Sequence, residues 1–130
     1  MDKVLSLLGL AQKAGRVEAG EDAVSAAAEV RRARLVLLAS DASENSARRA
    51  RRFAERGACL WAGIPASKAE LGRAVGRGEC AMLAVTDIGF AEALAKKLAA
   101  ADETRYAALA QRLEIKKKRA LERKAKRGKK

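Results

Sequence analysis

Apolar and polar positions along this chain switch repeatedly between a helical and a strand period. Val4, Leu5, Leu7, Leu8, Leu10 and Ala11 recur at the spacing of an amphipathic helix over Asp2–Ala14. Gly15 suits the left-handed residue that closes such a helix. A short strand centred on Val17 follows over Arg16–Ala19. Gly20 opens a second helix over Glu21–Arg32, with Val24, Ala27, Ala28 and Val30 expected to face inward. Arg34–Ser40 is a short, nearly continuous apolar run, the mark of a central strand buried on both faces. Asp41 or Ser43 can cap a third helix over Glu44–Arg56, and Gly57 is expected to end it. A strand over Ala58–Ala62 precedes the loop Gly63-Ile-Pro65. Ser67 caps a helix over Lys68–Val75, stopped by Gly76. Cys80–Thr86 reads as another buried strand, and Asp87 as the cap of a helix over Phe90–Ala101. Asp102-Glu103-Thr104 interrupts the pattern, and a long helix rich in Ala, Lys and Arg runs from Arg105 to Lys126.

Strands that alternate with helices predict an α/β/α sandwich with a small mixed sheet. The last helix carries only Tyr106, Leu109, Leu113 and Leu121 as main apolar residues. So thin a stripe packs its first part and leaves the rest in solvent. The sequence therefore divides into a domain over 1–104 and a basic helical or disordered tail over 105–130.

Composition sharpens this division. Apolar residues make up 49% of the chain but aromatics only 3%, so the core must be aliphatic. The formal net charge is +12. Residues 105–130 hold 12 Lys/Arg against Glu114 and Glu122, a net of +10. The preceding 104 residues are then close to neutral, at +2. A nearly neutral domain with a basic tail points to a polyanion partner. An anionic membrane is the competing target, but the apolar face of the tail is narrow for an interfacial helix. No apolar run approaches ~18 residues, and the N-terminus lacks the pattern of a secretory signal. A cytoplasmic location is expected, with no membrane partner.

Histidine is absent. That removes the usual imidazole base, the Ser-His-Asp triad and the zinc deaminase motif. Cys59 and Cys80 stand far apart without metal spacing and are expected as buried thiols. Neither a metal nor a cofactor is expected. Gly72-Arg73-Ala-Val-Gly76-Arg77-Gly78 has the look of a phosphate loop but follows no strand and lacks a Gly-Lys-Ser/Thr ending. Gly76 and Gly78 fit better as the turn into the Cys80 strand. Trp61 can stack a base or sit at a sheet edge.

Two features remain as binding candidates. The start of the second helix, Gly20-Glu21-Asp22, presents unpaired N–H groups to a phosphate or base edge. The same residues also read as an ordinary helix start, with acids favoured by the dipole. On the third helix Arg48, Arg52 and Arg56 share one stripe, with Arg49 beside it, a set suited to phosphate contacts or to solvation.

Five stretches taken in order resemble the L-seven-Ae ribosomal-protein family, which includes kink-turn RNA binders, and within it the bacterial YlxQ-like branch. They are Leu8-Gly-Leu-Ala-Gln-Lys-Ala-Gly15, Ala19-Gly-Glu-Asp-Ala-Val24, Leu35-Val-Leu-Leu-Ala-Ser-Asp-Ala-Ser-Glu-Asn45, Glu70-Leu-Gly-Arg-Ala-Val-Gly76 and Ala84-Val-Thr-Asp-Ile-Gly-Phe90. The resemblance covers residues 4 to about 98 and leaves the tail outside. It implies a three-layer α/β/α fold with a four-stranded mixed sheet, and no catalysis. It implies RNA contacts at Gly20–Ser25, Asp41–Ser43 and Gly76–Cys80. Lys13, Arg16 and Arg77 would supply phosphate contacts around them.

The chain departs from the kink-turn pattern. Where the family typically has Gly-x-Asn-Glu followed by a lysine one turn on, this chain has Gly20-Glu21-Asp22-Ala23 and Ala26. An ionised Asp22 only accepts hydrogen bonds, whereas Asn also donates. Ser43 stands where an acid can touch RNA, and Arg77-Gly78-Glu79 replaces an apolar pair.

The expectation is a non-enzymatic, monomeric, ribosome-associated protein that binds ribosomal or other structured, possibly kinked, RNA. Its expected contacts are Lys13, Arg16, Gly20, Glu21, Asp22, Ser25, Asp41, Ser43, Arg48, Arg77, Gly78 and Glu79. The alternative is a protein-interaction adaptor of the same fold that binds nucleic acid only non-specifically, through the tail.

Overall fold

The computed structural model describes residues 1–128; Lys129 and Lys130, the last two cations of the tail, lie outside the described residues. In chain order the elements are α1 (Asp2–Lys13), β1 (Val17–Ala19), α2 (Glu21–Glu29), β2 (Leu35–Leu38), α3 (Glu44–Arg56), β3 (Leu60–Gly63), α4 (Lys68–Ala74), β4 (Met82–Val85), α5 (Ile88–Ala101) and α6 (Glu103–Gly128). The sheet order is β1-β4-β2-β3. β2 pairs with β3 in parallel and with β4 antiparallel, and β1 pairs antiparallel with β4. This is the expected four-stranded mixed sheet.

Side chains alternate across the pleat. Leu35 and Leu37 of β2, with Leu83 and Val85 of β4, join the core formed with α1, α4, α5 and α6. Val36 and Leu38, with Met82 and Ala84, join a second core against α2 and α3. Both central strands are buried along their whole length, which explains why Arg34–Ser40 carries no polar alternation. Three layers follow directly.

The last helix belongs to this unit in its first half. Tyr106 and Leu113 are buried in the first core. The Tyr106 hydroxyl donates to the Gly63 carbonyl at 2.7 Å, and an Arg105 guanidinium N–H donates to the same oxygen at 2.9 Å. Lys117 pairs with the buried Glu92 of α5 at 3.1 Å, so α6 is held down to that point. Beyond it Leu121 is 56% exposed.

The helix ends correct one expectation and refine another. α2 stops at Glu29 rather than Arg32, and Val30 is its C-cap, 64% exposed rather than inward. α3 ends at Arg56 with Gly57 as its C-cap, as expected, but Gly57 keeps φ −82° and the left-handed residue is Ala58, at φ 53°. Glycine is needed at 57 for another reason. A Cβ there would lie 3.1 Å from both the Cα and Cβ of Ala28, so its absence lets α3 close onto α2. Gly15, by contrast, does adopt φ 73° behind α1, and Arg16 N–H bonds back to the Ala11 carbonyl.

Candidate nucleic-acid interface

One end of the sheet gathers three loops into a continuous rim. Gly20 N–H donates to the Met82 carbonyl at 3.0 Å, tying the start of α2 to the start of β4. Ala39 N–H donates to the Ala81 carbonyl at 2.8 Å, adding the end of β2. Cys80 N–H donates to the Lys68 carbonyl at 2.9 Å, and Lys68 N–H donates to Asp41 Oδ1 at 2.8 Å, closing the rim through the start of α4.

The start of α2 is the chemically open part of this rim. Gly20 is its N-cap, with φ 97° and ψ 160°, a conformation that is essentially glycine-only. Gly20 has no side chain to cap the helix, so the first-turn N–H groups face outward. α3, α4, α5 and α6 start differently: Ser43, Ser67, Asp87 and Asp102 each accept a backbone N–H of the first turn. Arg77 crosses the Gly20 position. Its Nη1 donates to the Ala19 carbonyl at 2.6 Å, and a Cβ on Gly20 would lie 2.8 Å from that nitrogen. Arg49 of α3 pairs with Glu21 at 2.7 Å on the other side. The resulting concavity is lined by Ala19–Ala23, Arg49 and Arg77. It offers helix N–H donors, two guanidinium groups and the exposed carboxylate of Asp22.

The expected site residues divide by place. Gly20, Glu21, Asp22, Arg77, Gly78 and Glu79 share the rim. Asp41 and Ser43 are close by, but Asp41 Oδ1 accepts from the start of α4 and Ser43 Oγ caps α3. Ser25 lies half-buried one turn into α2. Arg48 is exposed on α3 and donates to Asn45 Oδ1 at 2.7 Å. Lys13 and Arg16 precede β1, whose far end carries Gly20, so both stand away from the rim. Lys68 is a rim member that the sequence does not single out, and Arg49, read there only as lying beside the arginine stripe of α3, also reaches the rim. Only the packing of α3 against α2 shows that Arg49 meets Glu21, since the two are far apart in the chain.

The loop that carries Arg77 is itself held closely. A Cβ on Gly72 of α4 would lie 2.2 Å from the Gly78 carbonyl oxygen, so the helix and loop touch backbone to backbone. Gly76, at φ 74°, makes the turn. Cys80 lies buried beneath, its Sγ donating to the Met82 carbonyl at 3.0 Å. Burial pushes its thiol pKa up, against weaker opposing effects of Gly20 N–H and Arg77. Cys59, expected as buried, is only half-buried; burial raises its pKa too, against the nearby Lys116 and Arg34 charges. Trp61 sits on edge strand β3 with the Arg51 guanidinium 5.8 Å from its ring centre. Among the described residues no three metal-capable side chains cluster, and no helix is long and apolar enough to cross a membrane.

A three-layer α/β/α domain that presents an uncapped helix start between two arginines has the form of a binding module. The chain belongs to the ribosomal protein L7Ae/L30e/S12e/Gadd45 family, whose model matches residues 2–95. It is 41% identical over 92 residues to the RNA-binding protein YlxQ of Bacillus subtilis (strain 168), covering 68% of this chain and 87% of that protein. It also resembles the solved structure of a protein with unknown function from Bacillus halodurans C. That likeness has a TM-score of 0.68 at 32% identity and covers 74% of this chain and 96% of the other.

Proposed function

We propose that this protein is a non-enzymatic RNA-binding protein that holds structured RNA at the rim around Gly20. The observation that carries the reading is the uncapped start of α2, bracketed by Arg77 and Arg49. Backbone N–H groups at a helix start suit phosphate oxygens and base-edge acceptors. Family membership and the RNA-binding relative support RNA as the partner. Ribosomal RNA is the favoured target class, the protein acts as a monomer in the cytoplasm, and the basic tail adds affinity and on-rate by counterion release.

Recognition is weighted to RNA shape. Asp22, Ala23 and Ala26 lack the amide, the second carboxylate and the ammonium that a standard kink-turn reader places there. The test compares kink-turn RNA with a straight duplex of equal length at moderate salt. Tighter binding of the bent RNA, lost in Arg77→Gln, supports the rim. Equal affinity for both RNAs, unchanged in Arg77→Gln, overturns it and favours the adaptor reading.

A further inference from the structure

The end of the sheet opposite the rim holds a second concentration of positive charge. Arg34 precedes β2 while Asp41 follows it, so the two ends lie roughly 20 Å apart at about 3.3 Å per residue. Here a cavity of about 240 Å³ is bordered by Arg31, Arg34, Lys116, Arg119 and Arg123, with Cys59 in its wall. At about 30 Å³ per water it has room for roughly eight waters, or for a tetrahedral oxyanion with part of its hydration. None of the five cations has a carboxylate within 4.0 Å among the described residues.

The cluster is assembled rather than incidental. Its members come from the end of α2, the approach to β2 and the last helix. Lys116, Arg119 and Arg123 fall on one stripe of α6, at about 100° per residue. The Lys117–Glu92 pair fixes α6 on α5 beside that stripe, so the three cations start from a held segment. Arg31 takes φ 56°, and Ala58 across the cavity takes φ 53°; among the described residues these are the non-glycine residues with left-handed backbone. Each closes its helix by a back-bond, Arg32 N–H to the Ala27 carbonyl and Cys59 N–H to the Ala54 carbonyl, both at 2.9 Å. Those two helix ends contribute about half a negative charge each. They offset about one of the five positive charges, and about four remain.

We propose that this cavity is a phosphate-binding site that takes a backbone phosphate of RNA, so that the protein grips RNA at both ends of its sheet. The site rests on the RNA-binding reading only for the source of the phosphate. The uncompensated charges repel one another in the free protein, and a phosphate oxyanion relieves that repulsion while accepting hydrogen bonds from several guanidinium groups.

Backbone amide NMR of the full chain tests both parts. Inorganic phosphate should shift Ala33, Ala58, Cys59 and Ile88 saturably. A structured RNA should shift the same four amides together with the rim amides Glu21–Ala23 and Arg77–Glu79. Arg119→Gln with Arg123→Gln should abolish the phosphate response and lower the salt slope of RNA binding by up to about 1.8, at about 0.9 per charge for a duplex. Lys118→Gln with Lys124→Gln removes two charges of the same helix outside the cavity and should leave the phosphate response intact. Phosphate shifts that do not saturate, or that vanish equally in both double variants, overturn the site. Saturable phosphate shifts with no movement of the four amides on adding RNA overturn RNA as the source and leave a site for free phosphate. RNA that moves the four cavity amides but not the rim overturns the rim proposal alone.

Discussion

Single residues set how the rim is built, and glycine matters there for space as much as for conformation. Gly20 combines an unusual φ with the passage of Arg77 across it. Gly20→Ala is expected to destabilise the fold by about 1–3 kcal/mol, the usual cost of a side chain in such a backbone region. It should also displace Arg77 and weaken RNA binding. Urea denaturation beside an RNA titration reads both effects, and unchanged stability with unchanged affinity would contradict this account of the rim. The cysteines give a pH dependence. Burial raises the pKa of Cys80, of Cys59 and of the Tyr106 phenol. In each case the folded state keeps its proton to higher pH than the unfolded state. The associated stability is complete below the unfolded values and is lost as pH rises through the folded ones. The urea midpoint should therefore fall above about pH 8.5, the ordinary thiol range. Cys80→Ser should shrink that fall; a flat midpoint from about pH 7 to about pH 10 would sink the idea.

At the level of elements, caps and contacts decide which ends are closed and which are open. Ser67 and Glu70 form a reciprocal capping box on α4, and the hydrogen bonds to Ser67 hold the Glu70 carboxyl below its ordinary pKa. α2 lacks such a cap and is left available. Asp102 read only as an interruption before a helix that in fact starts at Glu103. Ser43, Ser67 and Asp87 were legible locally as caps, because capping acts within three residues. Asp41 was not: it sits where a cap for α3 belongs, yet its carboxylate serves Lys68, far along the chain. α6 shows the same division within one helix. Leu113 is fully buried and Leu121 is not. Leu113→Ala is expected to cost about 2–5 kcal/mol as a cavity-forming change. Leu121→Ala should stay within about 0.5 kcal/mol. Thermal melts of the two variants compare them directly, and similar losses would mean that α6 packs along its whole length.

For the whole molecule, the two basic regions and the nearly neutral core separate folding from polyanion attraction. A chain ended at Lys118 keeps Tyr106, Leu113 and the Lys117–Glu92 pair, and loses seven Lys/Arg with Glu122. It should keep its melting temperature while the salt dependence of RNA binding flattens by up to about 6, at about 0.9 per phosphate contact of a duplex. An unchanged slope would show that the removed cations do not touch RNA. The sequence by itself determined the element order, the aliphatic core, the family and the polarity of the tail. Those properties follow from periodicity, capping chemistry, residue content and ordered motifs, all of which are local or additive. Only the tertiary structure decided that Arg49 answers Glu21, that Arg77 guards Gly20, that Gly57 serves helix contact as well as helix ending, and that five cations converge at the end of the sheet opposite the rim. Each of these depends on residues distant in the chain meeting across packed layers, and no local pattern encodes the distance between them.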